Sequence, residues 1–150
     1  MQPHLKNDLL YLLRMIEACE KIRLYAASFL SASDLFLAQE QMVFNACLNQ
    51  LAQLGEQANK LSSTIQQKYP QIPWQQIRGF RNRVIHEYAG VDTELVFEII
   101  QIQLPLLTVQ IAPLIKAEII EGNFDSNELE AARISPYLQH VDFSRFEGDD

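Results

Sequence analysis

The stretch Arg81-Asn82-Arg83-Val84-Ile85-His86-Glu87-Tyr88 holds the residues of this 150-residue chain whose types and spacing suggest chemistry. Cleavage of RNA by its own 2′-hydroxyl needs a group to take that proton, a cation to stabilise charge on the phosphorane, and a donor for the leaving 5′-oxygen. Histidine titrates near working pH, and guanidinium is a permanently charged fork for phosphate oxygens. His86 and Arg81 therefore suit proton transfer and phosphate clamping, with Asn82 as a positioning group. Arg78, Arg81 and Arg83 fall within six residues with no acid before Glu87, which makes a local cationic patch suited to phosphate.

Spacing alone is a weak signal. Seven arginines and three histidines in this length predict roughly 0.14 chance matches to Arg-x4-His. Read singly, His86 is a structural or surface histidine near a helix end, Tyr88 a half-buried packing residue, and the arginines a solvated face. Other chemistries find less support. His4, His86 and His140 lack zinc-ligand spacing, and no glycine-rich loop leads to a lysine. Cys19 and Cys47 fall on apolar helical stripes without CxxC spacing, which reads as buried free thiols. No metal or organic cofactor is expected.

Helix formers dominate, and the five glycines are scattered, so an all-α fold with almost no sheet is expected. After Asn7 as a plausible N-cap, Leu9, Leu12, Leu13, Ile16, Cys19, Ile22, Ala26 and Phe29 mark one face of a long first helix. Ser31 to Asp34 reads as a capped turn. From about Asp34 a second long helix carries Val43, Cys47, Leu48, Leu51, Leu54, Ala58 and Leu61, and a mid-helix Gly55 suggests close approach of a neighbour. Ser62 and Ser63 cap a short helix, and Tyr69-Pro70-Gln71-Ile72-Pro73-Trp74 enforces an extended link. A third helix is expected from Pro73 to about Glu87, burying Trp74, Ile77, Val84 and Phe80 and stopped by Gly90. Asp92 caps a fourth, which Pro105 should kink.

If that third helix is continuous, a five-residue step turns about 140° and rises about 7.5 Å, so Arg81 and His86 diverge around it. Asn82 then shares the histidine's face, and Tyr88 shares the face of Arg81 and Arg78. Two copies about a twofold axis would bring both faces to one groove, which suggests a composite dimer site.

The formal charge of −7 argues against RNA until its distribution is considered. Residues 1–115 hold nine Lys/Arg and ten Asp/Glu, net −1; residues 116–150 hold three and nine, net −6. The expected organisation is a domain over 1–115 and an acidic C-terminal extension over 116–150. The extension should carry a short helix near Asn127 to Ile134 and an irregular end, with Tyr137, Phe143 and Phe146 spaced like docking aromatics. It reads either as a solubilising extension or as a segment contacting a partner or the basic groove. The polar start predicts no secretory signal, and Val96 to Ile120 reads as too polar for a bilayer span, so no membrane association and a cytoplasmic location are expected.

Several motifs together resemble the HepT-like branch of the HEPN superfamily over about residues 7–115. They are Leu54-Gly55-Glu56-Gln57-Ala58 before Leu61-Ser62, Ile72-Pro73-Trp74 with Ile77, Gly79-Phe80 leading into Arg81 through Tyr88, and Gly90-Val91-Asp92 leading to Leu104-Pro105. The resemblance implies an up-and-down four-helix bundle that forms a homodimer, two RNxxxHxY motifs making one shared, metal-independent endoribonuclease site. It places Arg81 and His86 at the catalytic positions and Asn82 at the accompanying polar one. It further implies the toxin of a type VII-like toxin-antitoxin pair, with a cognate minimal nucleotidyltransferase antitoxin that transfers AMP from ATP onto Tyr88. The rival readings are a non-catalytic helical module that positions substrate for, or regulates, a nucleotidyltransferase, and a purely structural adaptor.

Overall fold

The computed structural model describes residues 7–86 and 90–148; of His86 only the backbone is described, so its side chain, Glu87 and Tyr88 lie outside the described residues. Helix α1 (Asp8–Ala26) buries the expected stripe, from Leu9 through Leu12, Leu13, Ile16, Cys19 and Ile22 to Ala26. Asn7 precedes it but its side chain makes no capping bond. The neighbouring Asp8 is buried instead, its carboxylate accepting the Ser62 N–H at 2.9 Å and the Ser62 hydroxyl at 2.6 Å. Ser62 Oγ in turn accepts the Ile65 N–H and caps α4 (Ser63–Lys68). One carboxylate thus ties the start of α1 to the start of α4.

The expected second helix is two. Ser31 caps α2 (Ala32–Leu37), and Gln39, Glu40 and Gln41 then turn left-handed, with φ of 47°, 55° and 71°, before α3 (Met42–Lys60) begins. Side chains disfavour that region by roughly 1–2 kcal/mol per residue. The reversal lets Phe36 meet Phe44 edge to face, ring centres 5.1 Å apart, folding α2 back onto α3.

After α3 comes the link at Tyr69–Pro73, where the buried Trp74 donates its indole N–H to the Tyr69 carbonyl at 3.0 Å. The expected third helix divides into α5 (Trp74–Arg78) and α6 (Phe80–Val84), joined at Gly79, and ends at Val84 rather than near Glu87. Ile85 is extended, and β1 (Ile85–His86) pairs antiparallel with β2 (Gly90–Val91), Ile85 opposite Val91 and His86 opposite Gly90. Two β-branched residues in succession favour that change of conformation. Gly90 makes the return with φ of 81°, and the Asp92 N–H closes on the Val84 carbonyl at 2.7 Å.

Asp92 Oδ1 accepts the Leu95 N–H and caps α7 (Thr93–Glu98), as expected. A wide turn over Ile99–Gln103 leads into α8 (Leu104–Ile120), and the Leu104 N–H reaches back five residues to the Ile99 carbonyl. Pro105 accounts for it: without an N–H, and with a ring that crowds the preceding turn, it cannot continue a regular ladder. The helical stretch Thr93–Ile120 is, against the sequence expectation, long and apolar enough to cross a bilayer by length and composition, an 18-residue part of it having mean hydropathy 1.7. In the fold it packs on α1 as a core helix, and 44% of that 18-residue part is buried inside the bundle.

Helix α8 runs across positions 115 and 116, and the extension docks on the same core. After α9 (Ser126–Ala132), short 3-10 turns at Pro136–Leu138 and Phe143–Phe146 replace the expected irregular end, capped by Ser135 and Asp142. Phe124, Leu129, Leu138, Val141, Phe143 and Phe146 join the core cluster, the turns lying on α1 and α8. The buried Glu17 of α1 accepts from His140, its backbone N–H at 3.0 Å and Nδ1 at 2.6 Å. The acidic segment is therefore folded onto the body of the protein through Glu147 and Gly148.

Glu118 ties the end of α8 to the Tyr69 link. Fully buried, it takes the Tyr69 hydroxyl, the Lys68 ammonium and the Asn123 amide, each at 2.7 Å. Burial alone would raise its carboxyl, but the bonds from Lys68, Asn123 and Tyr69 outweigh that and hold it below the ordinary 4.5. The Tyr69 phenol moves up to about 12, through burial and then the bond to Glu118. A carboxyl depressed in the folded state stabilises it above its unfolded value and stops doing so as pH falls through the folded one. Stability should therefore decline on acidification below about pH 4.5, and Glu118→Gln should flatten that limb in thermal melts across pH.

Candidate functional site

Phe80 and Val84, both buried, anchor α6 to the core, each contributing about 1.5–3 kcal/mol. The residues between them are thereby turned outward: Arg81 and Asn82 are exposed. Arg81 stands at the edge of two adjoining grooves against α3. One, of about 440 Å³, is lined by Ala52, Gly55, Glu56 and Asn59 of α3 and by Arg78, Arg81 and Asn82. The other, of about 400 Å³, is lined by Leu48, Asn49 and Leu51 with Arg81, Val84 and Ile85.

Gly55 sets the spacing of these walls. A Cβ there would lie 3.1 Å from the Ile77 carbonyl oxygen and 3.2 Å from that of Arg78, both backbone atoms of α5. The close approach expected from the sequence is present, and its partner is the helix that carries Arg78.

The three arginines have different settings. Arg78 lines the groove with Arg81 and Asn82 while its guanidinium donates to Gln66 Oε1 of α4. Arg83 is half-buried, its guanidinium 5.8 Å from the centre of the Phe80 ring, and it lines neither groove. Arg78 and Arg81 thus line one groove, and Arg83 lies against the Phe80 ring. The last turn of α6 carries Arg81 and Arg83, cations at the negative end of the helix.

His86 follows Val84 by two residues along β1. Because α6 stops at Val84 and His86 lies on β1, the helical-face relation expected between Asn82 and His86 does not exist in this fold. A dimer derived from diverging helical faces loses that support. The role assigned to Tyr88, and the imidazole of His86, lie outside the described residues.

Sequence reasoning missed Glu56 and Asn59, which face Arg81 and Asn82 across the groove; Glu56 also pairs with Lys60 at 3.6 Å. Their signal was the three- and four-residue spacing of Ala52, Gly55, Glu56 and Asn59 on one face of α3. The cysteines are buried and free, and burial pushes the Cys19 thiol up to about 12 and that of Cys47 to about 11. They are inert packing groups.

An all-α bundle with an arginine and an asparagine on an open groove, and a histidine on the adjoining hairpin, has the form of a HEPN-type nuclease domain. The ribonuclease HepT-like family model matches residues 15–114, and the chain belongs to that family. A Caldanaerobacter subterraneus protein named "Putative RNase TTE0752" is 27% identical over 108 residues, covering 72% of this chain and 94% of that protein. A Methanocaldococcus jannaschii protein named "Putative RNase MJ1216" is 37% identical over 76 residues, covering 51% of this chain and 60% of its own. "Probable ribonuclease HepT" of Thermococcus cleftensis is 28% identical over 72 residues, 48% of this chain and 64% of that one. The chain thus spans nearly all of the first relative and about three fifths of the other two. No solved structure matches it.

Proposed function

We propose that the protein is an endoribonuclease that works without a metal, acting in the cytoplasm as a homodimer. The observation that carries the reading is the placement of Arg81 and Asn82, solvent-facing at an open groove four and three residues before the strand of His86, in a chain of the ribonuclease HepT-like family. His86 takes the proton of the RNA 2′-hydroxyl, whose oxygen attacks the adjacent phosphorus. Arg81, with Arg78 beside it, holds the phosphate oxygens as charge builds. The bond to the 5′-oxygen breaks, that oxygen takes a proton, and the products are a 2′,3′-cyclic phosphate and a 5′-hydroxyl. Asn82 positions the phosphate or the imidazole.

In the same reading the protein is the toxin of a toxin-antitoxin pair, neutralised by a minimal nucleotidyltransferase. The Tyr88 hydroxyl attacks the α-phosphorus of ATP, pyrophosphate leaves, and the AMP added within seven residues of Arg81, Arg83 and His86 puts a competing phosphate at the arginines. Co-expression with a nucleotidyltransferase encoded beside it should add the mass of one or more AMP units to the intact chain. Tyr88→Phe should remove the addition; an addition that survives Tyr88→Phe would move the acceptor elsewhere.

A further inference from the structure

A second groove, of about 360 Å³, lies between α1 and α3 and has no part in the chemistry above. Its wall on α3 is a polar stripe at four-residue spacing, Asn49, Gln53 and Gln57; Arg14 and Lys21 face it from α1, and Tyr137 stands at its rim. Gln57 is only 6% exposed, yet its Oε1 accepts no hydrogen bond from any of the described residues. A buried amide oxygen left without a donor is costly, and it lines an open groove from which a donor can come. Tyr137 is 77% exposed, an aromatic ring held out beside amides and cations rather than packed. The extension builds its position: Ser135 Oγ accepts the Tyr137 N–H at 3.2 Å, and His140 clamps onto the buried Glu17 in the groove's wall.

Asn49 also lines the groove of Arg81. The two depressions therefore share this residue of α3, which places them side by side on that helix. Resting on the ribonuclease reading, we propose that this groove holds an unpaired nucleobase of the RNA strand whose phosphate lies at Arg81. Side-chain amides pair with base edges, Gln57 Oε1 accepting an amino or imino N–H; Tyr137 stacks on the ring, and Arg14 and Lys21 meet the flanking phosphate. The C-terminal extension thereby gains a role in choosing which strand segment is cut.

The test is fluorescence anisotropy of labelled single-stranded hexaribonucleotides, one of each base, with the full chain carrying His86→Ala so that binding is read without cleavage. Tyr137→Ala in that background should weaken binding about tenfold. Gln57→Met should change the order of preference among the four bases, and Arg81→Ala should weaken all four alike. Tyr137 is exposed, so its variant folds whatever happens at Gln57. Unchanged RNA binding in Tyr137→Ala and Gln57→Met, with Arg81→Ala still weakened, overturns the base site alone and leaves the groove to a protein partner. No binding of RNA by any form overturns this inference and the ribonuclease reading together.

Discussion

Arg81→Ala and His86→Ala should each lower RNA cleavage by about 10²–10⁴-fold, with the folded state intact. Arg81 is exposed, so its loss removes no core contact, and melting temperature should stay within about a degree or two. The effects should differ in kind. Arg81→Lys keeps a charge but loses the fork that grips two phosphate oxygens, so it should recover only part of the rate. His86→Ala removes proton transfer, so it should abolish the rise of rate with pH that a titrating base produces. Rates of single-turnover cleavage from pH 5 to 9 measure both. Equal loss in variants of the packed Arg83, with Arg81→Ala active, would move the phosphate site away from the groove.

Gly55→Val should cost more structure than any surface change at the site. Even a methyl at Gly55 meets two backbone carbonyls of α5 at 3.1 and 3.2 Å, so a neighbour must give. Gly55→Ala asks for a shift of a few tenths of an ångström, set against the gain in helix propensity over glycine, about 1 kcal/mol. Valine adds two further methyl groups to the same contact, and overpacking of this kind costs about 1–3 kcal/mol or more. Because α5 carries Arg78 and leads through Gly79 to Arg81, its displacement should reduce cleavage beyond what the lost stability accounts for. Thermal unfolding and activity, measured well below the melting temperature, separate the two effects. A Gly55→Val protein with native melting and native activity would show that α3 and α5 tolerate separation.

Much of this arrangement was legible in the chain because local chemistry and tertiary packing agree. The α1 stripe, the caps at Ser31, Ser62 and Asp92, the buried Trp74 and the close approach at Gly55 all follow from residue type and period. Other elements have no local signature. Gln39, Glu40 and Gln41 turn left-handed without a glycine or asparagine among them, because the Phe36–Phe44 contact favours the reversal. The end of α6 at Val84 was hidden because no breaker precedes Gly90; the hydrogen bond from Asp92 to the Val84 carbonyl, which sequence cannot show, closes it there. This matters for the site, since angular relations expected along a continuous helix to Glu87 vanish once His86 is on a strand. The acidic extension looked irregular because its turns are short, yet Phe143 and Phe146 bury against the bundle and meet edge to face at 5.9 Å.

The separation of the arginines is the other case where packing overrides composition. Three guanidinium groups within six residues read as one cationic patch. In the fold, one stacks on Phe80, one is held by Gln66, and Arg81 is left at the junction of the grooves.

The central claim is that residues of this chain cleave RNA through the 2′-hydroxyl without help from a metal. Its most direct measurement is end-group analysis of RNA cut by the purified chain, freed of AMP and treated with excess chelator. Undiminished cleavage that leaves 2′,3′-cyclic phosphate and 5′-hydroxyl ends is the expected result. Cleavage that stops with chelator, or that leaves 3′-hydroxyl and 5′-phosphate ends, would contradict it.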